Sequence, residues 1–260
     1  MNSGLTEPQV LATLRAAGCV FAEDEAALLV EAAQSHVELQ EMVDRRVSGL
    51  PLEQILGWAE FCGLRILVDP GVFVPRQRTA FMVERAVALA APGAIVLDLC
   101  CGAGAIGAAI SARLPGIQLI AADIDPAAVG SARRNIPPPG RVFEGDLFDP
   151  LPAELRGRID IIVANTPYVP TGAIALLPPE ARVHEPRVAL DGGTDGLDVQ
   201  RRVAAEARHW LAPGGHLFVE TAREQADLTA GIFAANGLTP AIAHSEEFFS
   251  TVVSGRRPLD

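Results

Sequence analysis

The sequence predicts an α/β protein, a mostly parallel sheet covered by helices on both faces, with a small helical lobe ahead of it. Three observations predict this. From Arg78 onward, short apolar runs alternate with helical stretches, the pattern of a sheet buried between two helical layers. Before that point the first 57 residues carry apolar positions at helical spacing and few β-branched runs. The 260-residue chain is also 49% hydrophobic, enough to fill the core of one α/β domain with an appendage.

Each element follows from local signals. Thr6 is placed to cap a helix that opens at Glu7-Pro8, where proline is tolerated, and Val10, Leu11 and Leu14 share its inner face. Further helices are expected over 23–35 and 37–48, the last stopped by Gly49-Leu50-Pro51. Residues 58–74 hold two apolar runs around a Cys62-Gly63 turn, which predicts a hairpin. Helices then follow at 80–90, 105–114, 126–136, 199–211 and 224–236. Strands are expected at 94–99, 117–122, 141–144, 159–164 and 215–221, with two short ones closing the chain. The expected division is a helical domain over 1–57, a hairpin linker over 58–77 and the α/β domain over 78–260. Residues 166–198 lack clear periodicity, and so long a loop in a compact domain points to function.

Composition excludes several classes. A net charge of −11 argues against duplex nucleic acid as the main partner, because phosphate binding draws on a clustered cationic surface. The local exception is a basic groove from Arg201, Arg202 and Arg208 on one helix face. All 21 basic residues are arginine, which removes Schiff-base lysine chemistry and the lysine of a phosphate-binding P-loop. Cys19, Cys62, Cys100 and Cys101 form neither a C-x-x-C pair nor a disulfide framework, and the histidines are scattered, so no metal site is expected. No apolar run reaches the roughly 18 residues of a membrane span. Residues 1–8 lack the basic-then-apolar pattern of a secretion signal, so the cytoplasm is the expected location. The sequence does not specify an oligomeric state.

The first candidate site is the turn Asp98-Leu99-Cys100-Cys101-Gly102-Ala103-Gly104, which leaves a strand and opens a helix. Ligands of parallel sheets bind at the carboxyl ends of strands. Gly102 and Gly104, without a Cβ, permit a sharp turn and close approach of a cofactor. Asp123 ends the next strand, where a carboxylate can accept both hydroxyls of a ribose. Asp125 before Pro126 reads as a helix cap. Asp146, after the third strand, is either a partner for an adenine amino group or an ordinary turn aspartate. Gly102, Gly104 and Gly107 also spell the G-x-G-x-x-G of a nicotinamide dehydrogenase. Asp98 and a second site downstream separate the two readings.

That second site is Asn165-Thr166-Pro167-Tyr168, at the end of strand 159–164. The asparagine side chain offers one acceptor and two donors, and with a neighbouring carbonyl it can hold both hydrogens of a planar –NH2 group. The nitrogen lone pair then faces outward. Tyr168, the one tyrosine of the chain, can stack on the flat group; the plainer alternative is a proline turn capped by asparagine. Glu220 ends strand 215–221 on the same side, where it either touches a substrate or caps the helix near Glu224. Glu185 is expected to order the long loop through Arg182 or Arg187. Cys100-Cys101 reads as small apolar packing, with a redox pair as its alternative.

These motifs resemble the HemK/PrmC family of protein-glutamine N-methyltransferases. That family carries an Asn-Pro-Pro-Tyr motif and an Asp-Leu-Gly-x-Gly-x-Gly loop. The likeness extends through Arg45-Arg46, Gly49, Pro51, Gln54, Gly57, Phe61 and Gly63, then Val74-Pro75-Arg76. It continues over Leu177-Pro178-Pro179-Glu180, His184-Glu185-Pro186 and Ala189-Leu190-Asp191-Gly192-Gly193 to Asp195-Gly196-Leu197. The resemblance implies a class I S-adenosylmethionine methyltransferase, with a Rossmann-like seven-stranded sheet, an antiparallel last strand and a small N-terminal helical domain that grips a protein substrate.

It further implies S-adenosylmethionine as cofactor and S-adenosylhomocysteine as product. The cofactor would be bound by Asp98, Cys100, Gly102, Gly104, Asp123, Ile124, Asp146, Leu147 and Asn165. Asn165, Pro167 and Tyr168 would act in catalysis, and Thr166 and Glu220 would join them in binding the acceptor. The implied acceptor is the glutamine in the Gly-Gly-Gln tip of a peptide-chain release factor. Three departures stand out: Cys100 replaces a glycine, Gln77-Arg78-Thr79-Ala80 replaces Pro-Glu-Thr-Glu, and Thr166 replaces the first proline after Asn165. They keep open a small molecule or a nucleic-acid base as acceptor, or a cofactor-binding module without catalysis.

Overall fold

A computed structural model describes residues 5–259; the first four residues of the 1–8 stretch, and Asp260, lie outside the described residues. Helices Glu7–Ala16 (α1), Ala22–Ala32 (α2), His36–Val47 (α3) and Leu52–Leu56 (α4) build the lobe. Gln9 reaches back to accept from the Thr6 amide at 2.9 Å, and the Ser35 hydroxyl caps α3 by accepting from the Glu38 amide. Val10, Leu14, Leu29, Leu39 and Val43 bring their apolar stripes together in a core of the lobe's own. Arg46 is buried beside that core, paired with Glu25 at 2.6 Å and with Glu180 of the long loop at 2.7 Å. α4 lies just past the expected stop, with Pro51 in the position where its fixed φ suits a helix start.

The hairpin is shorter than expected, Trp58–Phe61 (β1) against Leu64–Leu67 (β2). The chain beyond it is held instead by Gln54, buried, which donates to the Val72 carbonyl and accepts from the Gly71 amide.

The sheet follows the predicted alternation. Ala80–Leu89 (α5) leads into Ile95–Leu99 (β3), Ala105–Arg113 (α6), Gln118–Asp123 (β4), Pro126–Asn135 (α7), Arg141–Glu144 (β5) and Ile159–Ala164 (β6). After the long loop, which holds Pro179–His184 (α8), come Asp198–Trp210 (α9), Leu211–Thr221 (β7), Ala226–Ala235 (α10), Thr239–Ser245 (β8) and Ser250–Arg256 (β9). Strand order is β5-β4-β3-β6-β7-β9-β8, and β9 alone runs antiparallel to its neighbours, as the resemblance implied. Alternate side chains of strands buried on both faces feed two cores. Val96 and Phe218 pack with Met82 and Ile110 on one side; Leu97 and Leu99 pack with Trp210 and Phe233 on the other.

Three expectations need correction. β7 starts at Leu211, taking the last residue given to α9: Leu211 pairs with Ile159 and His216 with Ile161, so the Pro213-Gly214-Gly215 stretch bulges between them. Residues 166–198 contain α8 and short 3-10 turns at Thr171–Leu176 and Arg187–Ala189. Prolines at 170, 178, 179 and 186 interrupt any helical period there. The basic groove does not form, because Arg201 pairs with Asp195 and Asp198, Arg202 pairs with Asp146, and Arg208 lies against Gly237. Among the described residues no helix is long and apolar enough to cross a membrane.

Candidate active site

The register of the sheet assembles the site. Leu99 of β3 pairs with Ala122 on one side and Ala164 on the other, and Ala164 pairs in turn with Val219. The next residue on each strand path is therefore Asp123, Cys100, Asn165 and Glu220, in one row along the carboxyl edge. Between β3 and β6 the strand order reverses, and such a reversal opens a crevice at that edge. A cavity of about 470 Å³ occupies it, with Pro51 and Glu53 of the lobe and Pro178 and Glu180 of the long loop among its walls.

The glycine turn divides its work. Cys100 sits at φ 54°, a left-handed conformation that costs a residue with a Cβ on the order of 1 kcal/mol and favours glycine there. Gly102 is also left-handed, and a Cβ on it would meet nothing within 4 Å, so its bare face is open to the cavity. Gly104 is different: a Cβ there would lie 2.9 Å from Ile136 Cδ1. Its expected role in admitting a cofactor is corrected to close packing of the turn on α7. Gly107 likewise lets α6 lie against Asp98 and Leu119.

Asp98 lies behind the turn rather than on the cavity wall. Its Oδ2 accepts from the Gly107 amide at 2.8 Å, while Oδ1 is buried without a partner. Burial, with a smaller contribution from Asp123, pushes its pKa up to about 8. Asp123 does face the cavity. Its Oδ2 accepts from the Gly102 amide at 2.8 Å and its Oδ1 from the Asp125 amide at 2.9 Å, which leaves each oxygen a further lone pair. Burial raises its pKa, opposed by those amides. Asp125 caps α7 through the Ala127 amide, as expected. Ile124, Asp146 and Leu147 border the same cavity, Asp146 held by Arg202 at 2.7 Å.

Asn165, partly buried, lines the cavity, and among the described residues no hydrogen bond engages its side-chain amide. Thr166 and Pro167 stand beside it, and the Thr166 hydroxyl is buried without a partner. The Tyr168 hydroxyl accepts from Arg78 and donates to Glu220 at 3.1 Å. Glu220, 2% exposed, thus neither lines the cavity nor caps the next helix. Gln225 supports that helix start instead, accepting from the Ala222 amide and the Thr221 hydroxyl. Glu185 is corrected as well: it pairs with Arg76 at 2.6 Å and accepts from the Val74 amide, and does not pair with Arg182 or Arg187. α8 carries it back over the segment before α5, and the Val74-Pro75-Arg76 motif was the available signal. Cys100 is partly buried, Cys101 is buried, and both are free thiols. Burial first, and the neighbouring aspartates second, raise the pKa of both thiols, which disfavours the thiolate that a redox pair uses and favours the packing reading.

Fold and site together define a methyltransferase, and the comparisons with known proteins agree. Residues 63–178 match the model of the Methyltransferase small domain family. A methyltransferase from Pyrococcus furiosus shares the fold at a TM-score of 0.58 and 15% identity, covering 84% of this chain and 99% of its own. A release factor glutamine methyltransferase from Geobacter sulfurreducens is 42% identical over 219 residues, 83% of this chain and 76% of the relative. A 4-amino-L-phenylalanine/4-methylamino-L-phenylalanine methyltransferase from Streptomyces pristinaespiralis is 36% identical over 75% of this chain and 69% of its own length. The chain belongs to the release factor glutamine methyltransferase family. The dehydrogenase reading of the glycine pattern falls with that assignment.

Proposed function

We propose that this chain methylates the side-chain amide nitrogen of a protein glutamine, in the Gly-Gly-Gln tip of a peptide-chain release factor, with S-adenosylmethionine as donor. The position of Asn165 carries this reading. Asn165 follows Ala164, which pairs with Leu99 at the start of the glycine turn on a strand about 4.8 Å away, and its side-chain amide is uncommitted. Bound S-adenosylmethionine supplies an electrophilic sulfonium methyl.

The donor set fits that cofactor. Asp123 keeps two free lone pairs for ribose hydroxyls, and Gly102 lets the backbone approach the bound molecule. Ile124, Asp146 and Leu147, on the cavity wall, would hold the base, and Cys100 shapes the turn. Asn165 Oδ1 accepts one hydrogen of the target –NH2 and the Thr166 carbonyl accepts the other, so the lone pair points across the row. Tyr168 and Pro167 flank the flat group. An amide nitrogen is a weak nucleophile, so the site contributes mainly orientation, which is worth up to about 7–11 kcal/mol. The lobe grips the substrate protein, with Pro51 and Glu53 at the cavity. The relative from Geobacter sulfurreducens supports the choice of acceptor. The unpartnered Thr166 hydroxyl and the Streptomyces relative favour an aromatic amine as the second reading.

A labelled-methyl assay offering release factor, RNA and 4-aminophenylalanine in turn tests the proposal. Label is expected on glutamine of the release factor; label on the arylamine, or cofactor binding without transfer to any of them, would overturn it. Asn165→Ala should lower turnover on the order of 100-fold or more with little change in cofactor Kd, by comparison with losing one positioned donor. Asp123→Ala should do the reverse, weakening the Kd measured by calorimetry.

A further inference from the structure

Arg78 departs from the acidic residue of the family pattern, and it is not idle. It projects from the 3-10 turn Gln77–Thr79, at the start of α5, to the cavity wall. Its Nε donates to Glu220 Oε1 at 3.1 Å and its Nη2 donates to the Tyr168 hydroxyl. That hydroxyl donates to the same Glu220 oxygen at 3.1 Å. Three side chains from three distant parts of the chain therefore close a ring of hydrogen bonds. The guanidinium also lies 5.9 Å from the centre of the Tyr168 ring.

Charge requires the set to act together. Glu220 is almost fully buried, and its cationic partner is Arg78. A carboxylate at position 78 would face Glu220 with like charge, whereas the arginine neutralises it and still has donors for the phenol. A plain structural ion pair would use the two charged groups alone. Here the phenol bonds to both of them, one residue past Pro167 and three past Asn165. Burial, reinforced by Glu220, keeps the phenol protonated and able to donate.

We propose that Arg78 is a positioning residue: with Glu220 it fixes the Tyr168 ring at the cavity wall and so sets the slot that receives the acceptor's flat group beside Asn165. What enters the slot rests on the function proposed above; the fixing of the ring does not.

Tyr168 is the one tyrosine in the chain, so 3-fluorotyrosine labelling gives a single 19F resonance for it. Arg78→Ala is expected to shift and broaden that resonance, Glu220→Gln to perturb it similarly, and Arg78→Lys to restore it in part. In the methyl-transfer assay Arg78→Ala should lower kcat on the order of 10-fold or more, as expected of a misplaced binding group. In a Tyr168→Phe background it should add less than about twofold, because the two changes break one device. Cofactor Kd should stay unchanged. An unmoved resonance in Arg78→Ala, or losses that multiply in the double variant, would overturn the proposal. Should Arg78→Ala fail to fold, Arg78→Lys and Arg78→Gln carry the same comparison. A shifted resonance in an enzyme that leaves glutamine unmethylated would retire the proposed function and leave the positioning role standing.

Discussion

Asp98 illustrates how a single carboxyl can be governed by its surroundings. One oxygen is held by the Gly107 amide and the other has no partner, in a place solvent does not reach. With a pKa of about 8 in the folded protein and about 4 unfolded, it binds a proton in the native state that the unfolded chain releases. Stability from this group is therefore complete below about pH 4 and is lost as pH rises toward 8, by about 1.4 kcal/mol per pH unit at most. Denaturant unfolding of the cofactor-free protein from pH 5 to 8 should show that decline, and Asp98→Asn should flatten it. A slope that survives in Asp98→Asn would place the titrating group elsewhere. Asn165 works in the opposite sense, since its amide is left uncommitted and takes its place from the strand beneath it.

The glycine turn shows the same economy at the level of an element. Gly104→Ala should destabilise by about 2 kcal/mol or more, because a Cβ meets Ile136 and Ala132 and the left-handed backbone disfavours it. Gly102→Ala should cost about 1 kcal/mol from backbone alone, yet weaken cofactor binding, because its Cβ would project into the space a ligand needs. Thermal melting and calorimetry on the two variants separate the roles; equal loss of affinity with equal loss of stability would contradict the division. Elements such as β3 and β6 were legible in the sequence because apolar runs and turn residues are local signals. Asn165 was legible because it directly follows such a run. The Arg78–Glu220–Tyr168 ring was not, since it joins positions about 50 to 140 residues apart that only the sheet register brings together. The long loop was unreadable for a related reason. Tertiary bonds hold it, among them Gln225 Nε2 donating to the carbonyls of Tyr168 and Asp195, and its prolines erase the period that betrays a helix.

For the molecule as a whole, Arg46 is the chief fastening between lobe and loop. It is buried, with Glu25 on a neighbouring lobe helix and Glu180 of the long loop as partners. Arg46→Ala strands the buried Glu25 carboxylate and should cost about 3–5 kcal/mol in denaturant unfolding. Glu180→Ala removes the half-exposed partner, so it should cost no more than about 1 kcal/mol while raising the KM for a protein acceptor through a loosened loop. Comparable stability losses in the two variants would show that the lobe and loop are not joined in this way. The loop is also pinned at its other flank, through Glu185 to Arg76 and through Gln225 to Tyr168 and Asp195. A cover anchored on both sides admits a slender projection far more readily than a broad folded face. Chemically identical glutamines lying flat on a helix or strand should therefore go unmodified, so that selection among proteins is made by how far a residue stands out before its neighbours in sequence are read.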